Sequence, residues 1–297
     1  MDLDEYQTRA RLTDHTAGTT DWAADKQIVV ALLGLAGEVG TLATAYKKLL
    51  RDGPGYELYR DNVREELGDI LWYLSTVGDK YGLSLADIAE GNLAKIGNRW
   101  LSRDSTAALF GFLDDEYPAN ERLPRQFEVI FREEGDGLDR RLLLTSGGDA
   151  CGDPLTDNSY FEDGYRFHDV FHLAYAAVLG WSPVTRKLLK CKRRSRRDVD
   201  EVEDGGRAGV IEEGIAAFVF DYARKHRLLE DVTRVDFETL KAVKDLTAHL
   251  EVRVRSWHDW EQAILAGYAV FRQVSQNGGG VVLGDLSART LQYRPRE

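Results

Sequence analysis

Three carboxylates in the first seventy residues sit where carboxylates are not expected. Glu38 lies in "LLGLAGEVGTLATAYKK", and Glu66 and Asp69 lie in "REELGDILWYLS", both apolar, helix-like stretches. An acid buried without a partner is strongly disfavoured, so such residues shift their pKa or find a counter-charge. Glu66 and Asp69 are spaced i, i+3, which puts both on one face of a helix. Glu38 faces them if its helix pairs antiparallel with theirs across "RDGPGYE". Clustered carboxylates repel one another unless a cation neutralises them. Hard oxygen donors of this kind suit Mg²⁺, with Mn²⁺ an acceptable substitute. The bland alternative is that each acid hydrogen-bonds a Tyr, Trp or Lys, or reaches the rim.

The elements that must hold these acids are legible as periodicity. A short helix is expected from Leu3 to about Thr13. Leu32, Leu35, Val39, Leu42, Tyr46 and Leu49 recur at helical spacing. Gly53, Pro54 and Gly55 break that run. A third helix runs from about Asp61 to Tyr81 and ends at Gly82, and Ser84 caps a fourth over about 85–101. The character then changes. "FEVIFREEGDGLDRRLLLT" alternates around Gly-Asp-Gly and reads as a β-hairpin; "GGGVVLGDLSARTLQYR" reads as a second. Residues 147–164 read as loop, and helices fill about 165–276. The expectation is a mainly α protein, with a four-helix module over 1–103 and a second, mainly helical domain over 104–297 carrying a small hairpin.

Composition narrows the function classes. The chain has 297 residues, 43% hydrophobic, with a formal net charge of −11. A global electrostatic footprint for nucleic acid is absent. Cys151 and Cys191 are the only cysteines, which favours a reducing compartment over a disulfide framework. No signal peptide and no apolar run of membrane-spanning length is read, so a cytoplasmic protein with no membrane partner is expected.

Three segments in order, "GLAGEVG…KK", "EELGDILWYL" and "NLAKIGNRW", resemble the MazG-like family of all-α nucleoside triphosphate pyrophosphohydrolases over roughly residues 5–101. The resemblance implies hydrolysis of NTP or dNTP between the α- and β-phosphates, giving a nucleoside monophosphate and pyrophosphate. It implies a metal motif of Glu-x-x-Glu on one helix and Glu-x-x-Asp on the next. Here the second is Glu66 and Asp69, and the first is Glu38 alone, because Thr41 stands where its second Glu would be. A Thr hydroxyl or a water would then complete the shell; Glu65 is a spare carboxylate. By the same resemblance Lys47 or Lys48, Lys95 and Arg99 approach the phosphates and Asn92 touches the substrate. For the lysines a solvated helix face is an equal reading. Trp22 either stacks on a base or packs under the first helix. Glu38 or Glu66 would orient the attacking water. A homo-oligomer, dimer or tetramer, is expected because four such helices bury little surface alone. A nucleotide sensor that has lost catalysis through Thr41 is the rival reading.

The second domain carries "YRFHDVFHLAYAAVLGWSP", with His168 and His172 at i, i+4 and Asp169 between them. Downstream lie Glu201, Asp204, Arg207, Glu212 and Glu213. Together these form a candidate second metal or nucleotide site, against a structural network in which the histidines satisfy Glu212 or Glu213. His168, His172 and Glu213 are expected close together across two packed helices. The region resembles the C-terminal domain fused to some MazG-like proteins. Finally, "RKLLKCKRRSRR" places eight basic residues in twelve, Arg186 to Arg197. It reads either as a grip for polyphosphate or RNA, or as a solvated loop paired with the adjacent "DVDEVED".

Overall fold

A computed structural model describes residues 1–14, 24–100 and 111–296. The chain divides into two compact units, Met1–Gly97 and Asn98–Glu297.

The first unit holds helices α1 (Leu3–Arg11), α2 (Ala24–Asp52), α3 (Tyr59–Tyr81) and the start of α4 (Leu85–Trp100). Asp2 caps α1 through the Glu5 N–H, Gly82 closes α3 in the left-handed conformation (φ 66°), and the Ser84 hydroxyl accepts from the Asp87 N–H. Helices α2 and α3 run antiparallel. A side chain at Gly34 would collide with the Tyr73 ring, and further along α2 Glu38 meets Glu66, a lower-numbered residue of α3. On α2 the buried or half-buried positions are Ala31, Leu35, Glu38, Leu42, Ala45 and Leu49; on α3 they include Val63, Glu66, Ile70, Tyr73 and Val77. Both rows alternate three- and four-residue steps, the seam of two packed helices. Helix α1 is pinned to the end of α3 by Gln7. Its amide donates to Asp79 and the Leu83 carbonyl, and its oxygen accepts from the Leu85 N–H.

Two expectations fail here. Leu32, Val39 and Tyr46, expected on the core side, are exposed, as are Val29, Leu33, Leu67 and Leu74. The seam uses the adjacent stripe with its small residues, which lets the helices approach closely and leaves the bulkier stripe outside. The expected absence of a span-length apolar run also fails. Helix α2, through the following turn at Gly55, is long and apolar enough to cross a membrane by length and composition.

The second unit is a five-stranded antiparallel sheet overlaid by helices. The strands are β1 (Gln126–Glu134), β2 (Arg141–Ser146), β3 (Asp149–Ala150), β4 (Gly279–Asp285) and β5 (Thr290–Arg294), in the order β3-β2-β1-β4-β5. Both expected hairpins are present, and the sheet joins them through β1 and β4, with Val129 opposite Val282. The helices are α5 (Asp169–Leu179), α6 (Pro183–Leu188), α7 (Arg197–Val202), α8 (Gly206–Arg224), α9 (Phe237–Leu246) and α10 (Trp257–Gln276). Every residue of α5 is buried. A helix apolar on nearly all sides must be central, and α5 packs against α6, α8, α10 and the strands β4 and β5. Any polar group it carries therefore needs a partner inside the protein. Cys151 and Cys191 are buried free thiols.

Candidate active site and a second titratable cluster

In the first unit, Glu38 and Glu66 occupy facing seam positions and are half-buried, while Asp69, one turn on from Glu66, is exposed. The acids thus stand at the rim of the helix interface. Partial burial, then hydrogen bonding to Glu38 and the charges of Glu38, Asp69 and Glu65, push the Glu66 carboxyl above the ordinary carboxylate value. Among the described residues no Lys or Arg forms an ion pair with Glu38, Glu65, Glu66 or Asp69. Four acids converge there without a cation among the described residues. Tyr6 of α1, which sequence reasoning missed, borders the same place: burial and the Asp69 charge raise its phenol above its usual value. Nothing local in "DEYQT" signals this, because the proximity depends on how α1 docks onto α3.

Thr41 is exposed one turn beyond Glu38, and its hydroxyl donates to the Gly37 carbonyl at 3.2 Å, leaving the oxygen lone pairs free. Lys47 and Lys48 are exposed on α2, and Asn92 is exposed on α4. Lys95 and Arg99 lie on α4, with side chains outside the described residues; Trp22 lies outside them altogether.

In the second unit the start of α5 meets α8. His172 is fully buried; its Nδ1 lies 2.9 Å from Glu212 Oε1 and its Nε2 lies 3.3 Å from Glu213 Oε2. His168 Nε2 lies 3.6 Å from the same Glu213 oxygen and 3.9 Å from Asp169 Oδ1, while its Nδ1 lies 2.9 Å from the Tyr165 carbonyl. One ligand atom from each of His168, Asp169 and His172 falls within 4.8 Å of the others. Burial alone would lower the His172 imidazole, but the charges and hydrogen bonds of Glu212 and Glu213 override it and hold the ring well above its usual value. Burial pushes the Glu213 carboxyl up, but the neighbouring His172, His168 and Lys187 outweigh it and hold the carboxyl below its usual value. Burial and the charges of Glu213, Asp169 and Asp163 push the Tyr165 phenol up to about 12.

Three of the residues grouped with this cluster play other parts. Glu212 accepts from the Ser182 hydroxyl (2.6 Å) and the Val184 N–H (2.8 Å) as well as from His172, so its oxygens are consumed in positioning. Asp204 is buried against Arg193 (2.7 Å), and Glu201 is exposed and paired with Arg197. Glu201 and Asp204, which repeat the Glu-x-x-Asp spacing of Glu66 and Asp69, are therefore spent on arginines. Arg207 is exposed.

The basic stretch is only partly the solvated loop expected. Lys192, Arg196 and Arg197 do pair with Asp200, Asp198 and Glu201. Arg186 and Arg193, however, are 1% exposed and lie in a chain of charges, Asp114–Arg186–Asp204–Arg193–Glu251, buried except at the partly exposed Glu251. Those two arginines hold the unit together from inside.

Residues 29–101 match the model of the MazG nucleotide pyrophosphohydrolase domain, and residues 108–297 match that of the MazG C-terminal domain. An all-α module with acids at a helix seam, followed by this second domain, defines a nucleotide pyrophosphohydrolase architecture. The chain belongs to the MazG family. It is also 33% identical over 101 residues to the Gene 37 protein of Mycobacterium phage L5, a match spanning 33% of this chain and 89% of that protein. No solved structure matches the chain.

Proposed function

We propose that the first unit is a Mg²⁺-dependent nucleoside triphosphate pyrophosphohydrolase whose metal is held by Glu38, Glu66 and Asp69. The carrying observation is the convergence of these acids at one seam with no basic partner among the described residues. Such a set fits a hard divalent cation: oxygen donors only, partly exposed, and mutually repulsive without one. When bound, Mg²⁺ supplies neutralisation and polarisation of the phosphate oxygens. The chain supplies the rest. Glu38 or Glu66 orients a water and accepts its proton as the water oxygen bonds to phosphorus. The α–β bridging oxygen leaves with the other half of the substrate. Lys47, Lys48, Lys95 and Arg99 neutralise phosphate charge, Asn92 orients the nucleoside, and Trp22 stacks on the base. In place of a fourth carboxylate, Thr41 offers a neutral oxygen, so the metal site is weaker and turnover slower than with Glu.

The exposed apolar stripe of α2 and α3 pairs with a second copy of the chain. A bilayer would have to take in Glu38 near the middle of α2, at a cost of several kcal/mol for a charge at that depth (about 3 kcal/mol for an acid near the centre); a helix from another copy leaves the acid rim in water. The working location is the cytoplasm. The basic stretch draws no support as a nucleic-acid grip, since Arg186 and Arg193 are committed inside the fold.

The test is release of pyrophosphate and nucleoside monophosphate from a panel of NTPs and dNTPs, with and without Mg²⁺, alongside sedimentation analysis. Metal-dependent release by an oligomer supports the reading. Nucleotide binding without turnover would instead favour a regulatory module that Thr41 has silenced.

A further inference from the structure

We infer that His168, His172, Glu213 and Asp169 form a second metal site, for a divalent transition ion of the zinc, manganese or iron class.

His168 Nδ1 faces the Tyr165 carbonyl at 2.9 Å, an oxygen with no proton to give. His172 Nδ1 faces Glu212, a carboxylate already accepting from Ser182 and Val184. Both Nδ1 atoms are therefore donors, and in the neutral rings both Nε2 atoms carry lone pairs. Those lone pairs converge on Glu213 Oε2, at 3.3 and 3.6 Å. Electron-rich atoms so placed need a cation among them. A proton on His172 serves one contact. The His168–Glu213 and His168–Asp169 separations, 3.6 and 3.9 Å, are too long for hydrogen bonds and remain unserved. Asp169, 5% exposed, receives no side-chain hydrogen bond among the described residues.

A metal serves both imidazoles and a carboxylate at once: one ligand atom from each of His168, Asp169 and His172 lies within 4.8 Å of the others, and Glu213 Oε2 lies 3.6 and 3.3 Å from the two imidazoles. A tetrahedral ion bonded at ~2.0–2.1 Å keeps its ligand atoms about 3.4 Å apart, and the observed separations of 3.3, 3.6 and 3.9 Å bracket that value. Imidazole with carboxylate selects first-row transition ions over Mg²⁺. The anchors behind the rings, a backbone carbonyl and a buried glutamate, are those that fix the tautomer and orientation of ligating histidines. Glu213 is 47% exposed while the histidines are nearly enclosed, so the site opens to solvent on one side. Water or a substrate oxygen can complete the shell there.

The inference is independent of the activity assigned to the first unit, and its test keeps the two apart. The full-length protein is stripped with chelator and dialysed against Zn²⁺, and separately Co²⁺, in excess Mg²⁺, then measured for bound metal and Co²⁺ absorption. Wild type and Glu66→Gln should each hold one equivalent per chain. His168→Gln and Glu213→Gln should lose affinity at least about tenfold with an unchanged circular dichroism spectrum. Glu213 is half-exposed, so that variant stays informative even if His168→Gln misfolds. Less than a tenth of an equivalent in wild type, or full retention in Glu213→Gln and His168→Gln alike, overturns the site. Loss of the metal in Glu66→Gln would overturn it too, by placing the ion in the first unit.

Discussion

The two acid-bearing clusters are built in opposite ways. Glu38, Glu66 and Asp69 stand at the rim of a two-helix seam, with no basic partner among the described residues and bulky apolar side chains exposed nearby. The buried charges of the second unit are individually anchored: Arg193 spans Asp204 and Glu251, and Asp114 and Glu212 each take three hydrogen bonds. The first arrangement leaves its charge to be met by something arriving from solution. The second meets most of its buried charge within the fold, leaving the half-exposed Glu213 beside His168 and His172. A site that turns over a highly charged substrate benefits from the former. A rigid scaffold, or a tightly held resident ion, needs the latter.

That contrast is most easily broken in the second unit. Arg193→Ala should cost about 3–5 kcal/mol of stability in urea denaturation, because it strands the buried Asp204 and the partly buried Glu251. A loss below about 1 kcal/mol would mean that the buried charges are not integral. Next in size is the seam itself. Gly34→Ala puts a Cβ 2.2 Å from the Tyr73 ring, and overpacking of this kind costs about 1–3 kcal/mol. Thermal denaturation should show it in the first unit, with nucleotide turnover falling alongside as Glu38 and Glu66 are pushed apart.

Acid sharpens the comparison further. Burial pushes the Asp114 carboxyl up, but the Leu123 N–H and the Arg186 and Arg125 side chains outweigh it and hold it below the usual value; Asp157 is likewise depressed, mainly by backbone N–H groups and Arg166. A depressed folded-state value stabilises above the unfolded one, near 3.9, and that stability drains away as pH falls through the folded value. Near-ultraviolet circular dichroism from Trp181 and Trp260, both in the second unit, should therefore decay below about pH 4. A signal unchanged down to pH 2 would contradict the depressed carboxylates. The smallest effect is expected from Thr41→Glu, which adds an acid one turn from Glu38. It should tighten Mg²⁺ and raise turnover a few-fold, roughly the scale of one surface charge interaction. No change in either would mean that position 41 does not face the metal.

Much of this was legible from short-range patterns. The i, i+3 acids and i, i+4 histidines declared themselves because a helix converts sequence spacing into spatial adjacency. Both hairpins were legible because strand alternation and turn glycines are local. What escaped depends on long loops closing. Nothing in "FEVIF" announces that it pairs with "GGVVLGD", 150 residues on, nor that Arg186 is neutralised by Asp114, 72 residues earlier. The basic run looked like surface because its partners are remote. The tautomer-setting acceptor of His168 is a backbone carbonyl, which no residue type reveals. Which stripe of α2 would be covered also escaped, since the apolar pattern offers two and only close approach at Gly34 selects one.

The central claim is that the seam carboxylates hold the cation that hydrolysis requires. A Mg²⁺ titration of pyrophosphate release, wild type beside Glu66→Gln and Asp69→Asn, tests it most directly. The wild type should show saturable dependence on Mg²⁺. Both variants should fall at least about a hundredfold, some 2.7 kcal/mol of transition-state stabilisation. Their melting temperatures should stay level or rise, as like-charge repulsion is relieved. Unchanged turnover in either folded variant, at any Mg²⁺ concentration, would contradict the account.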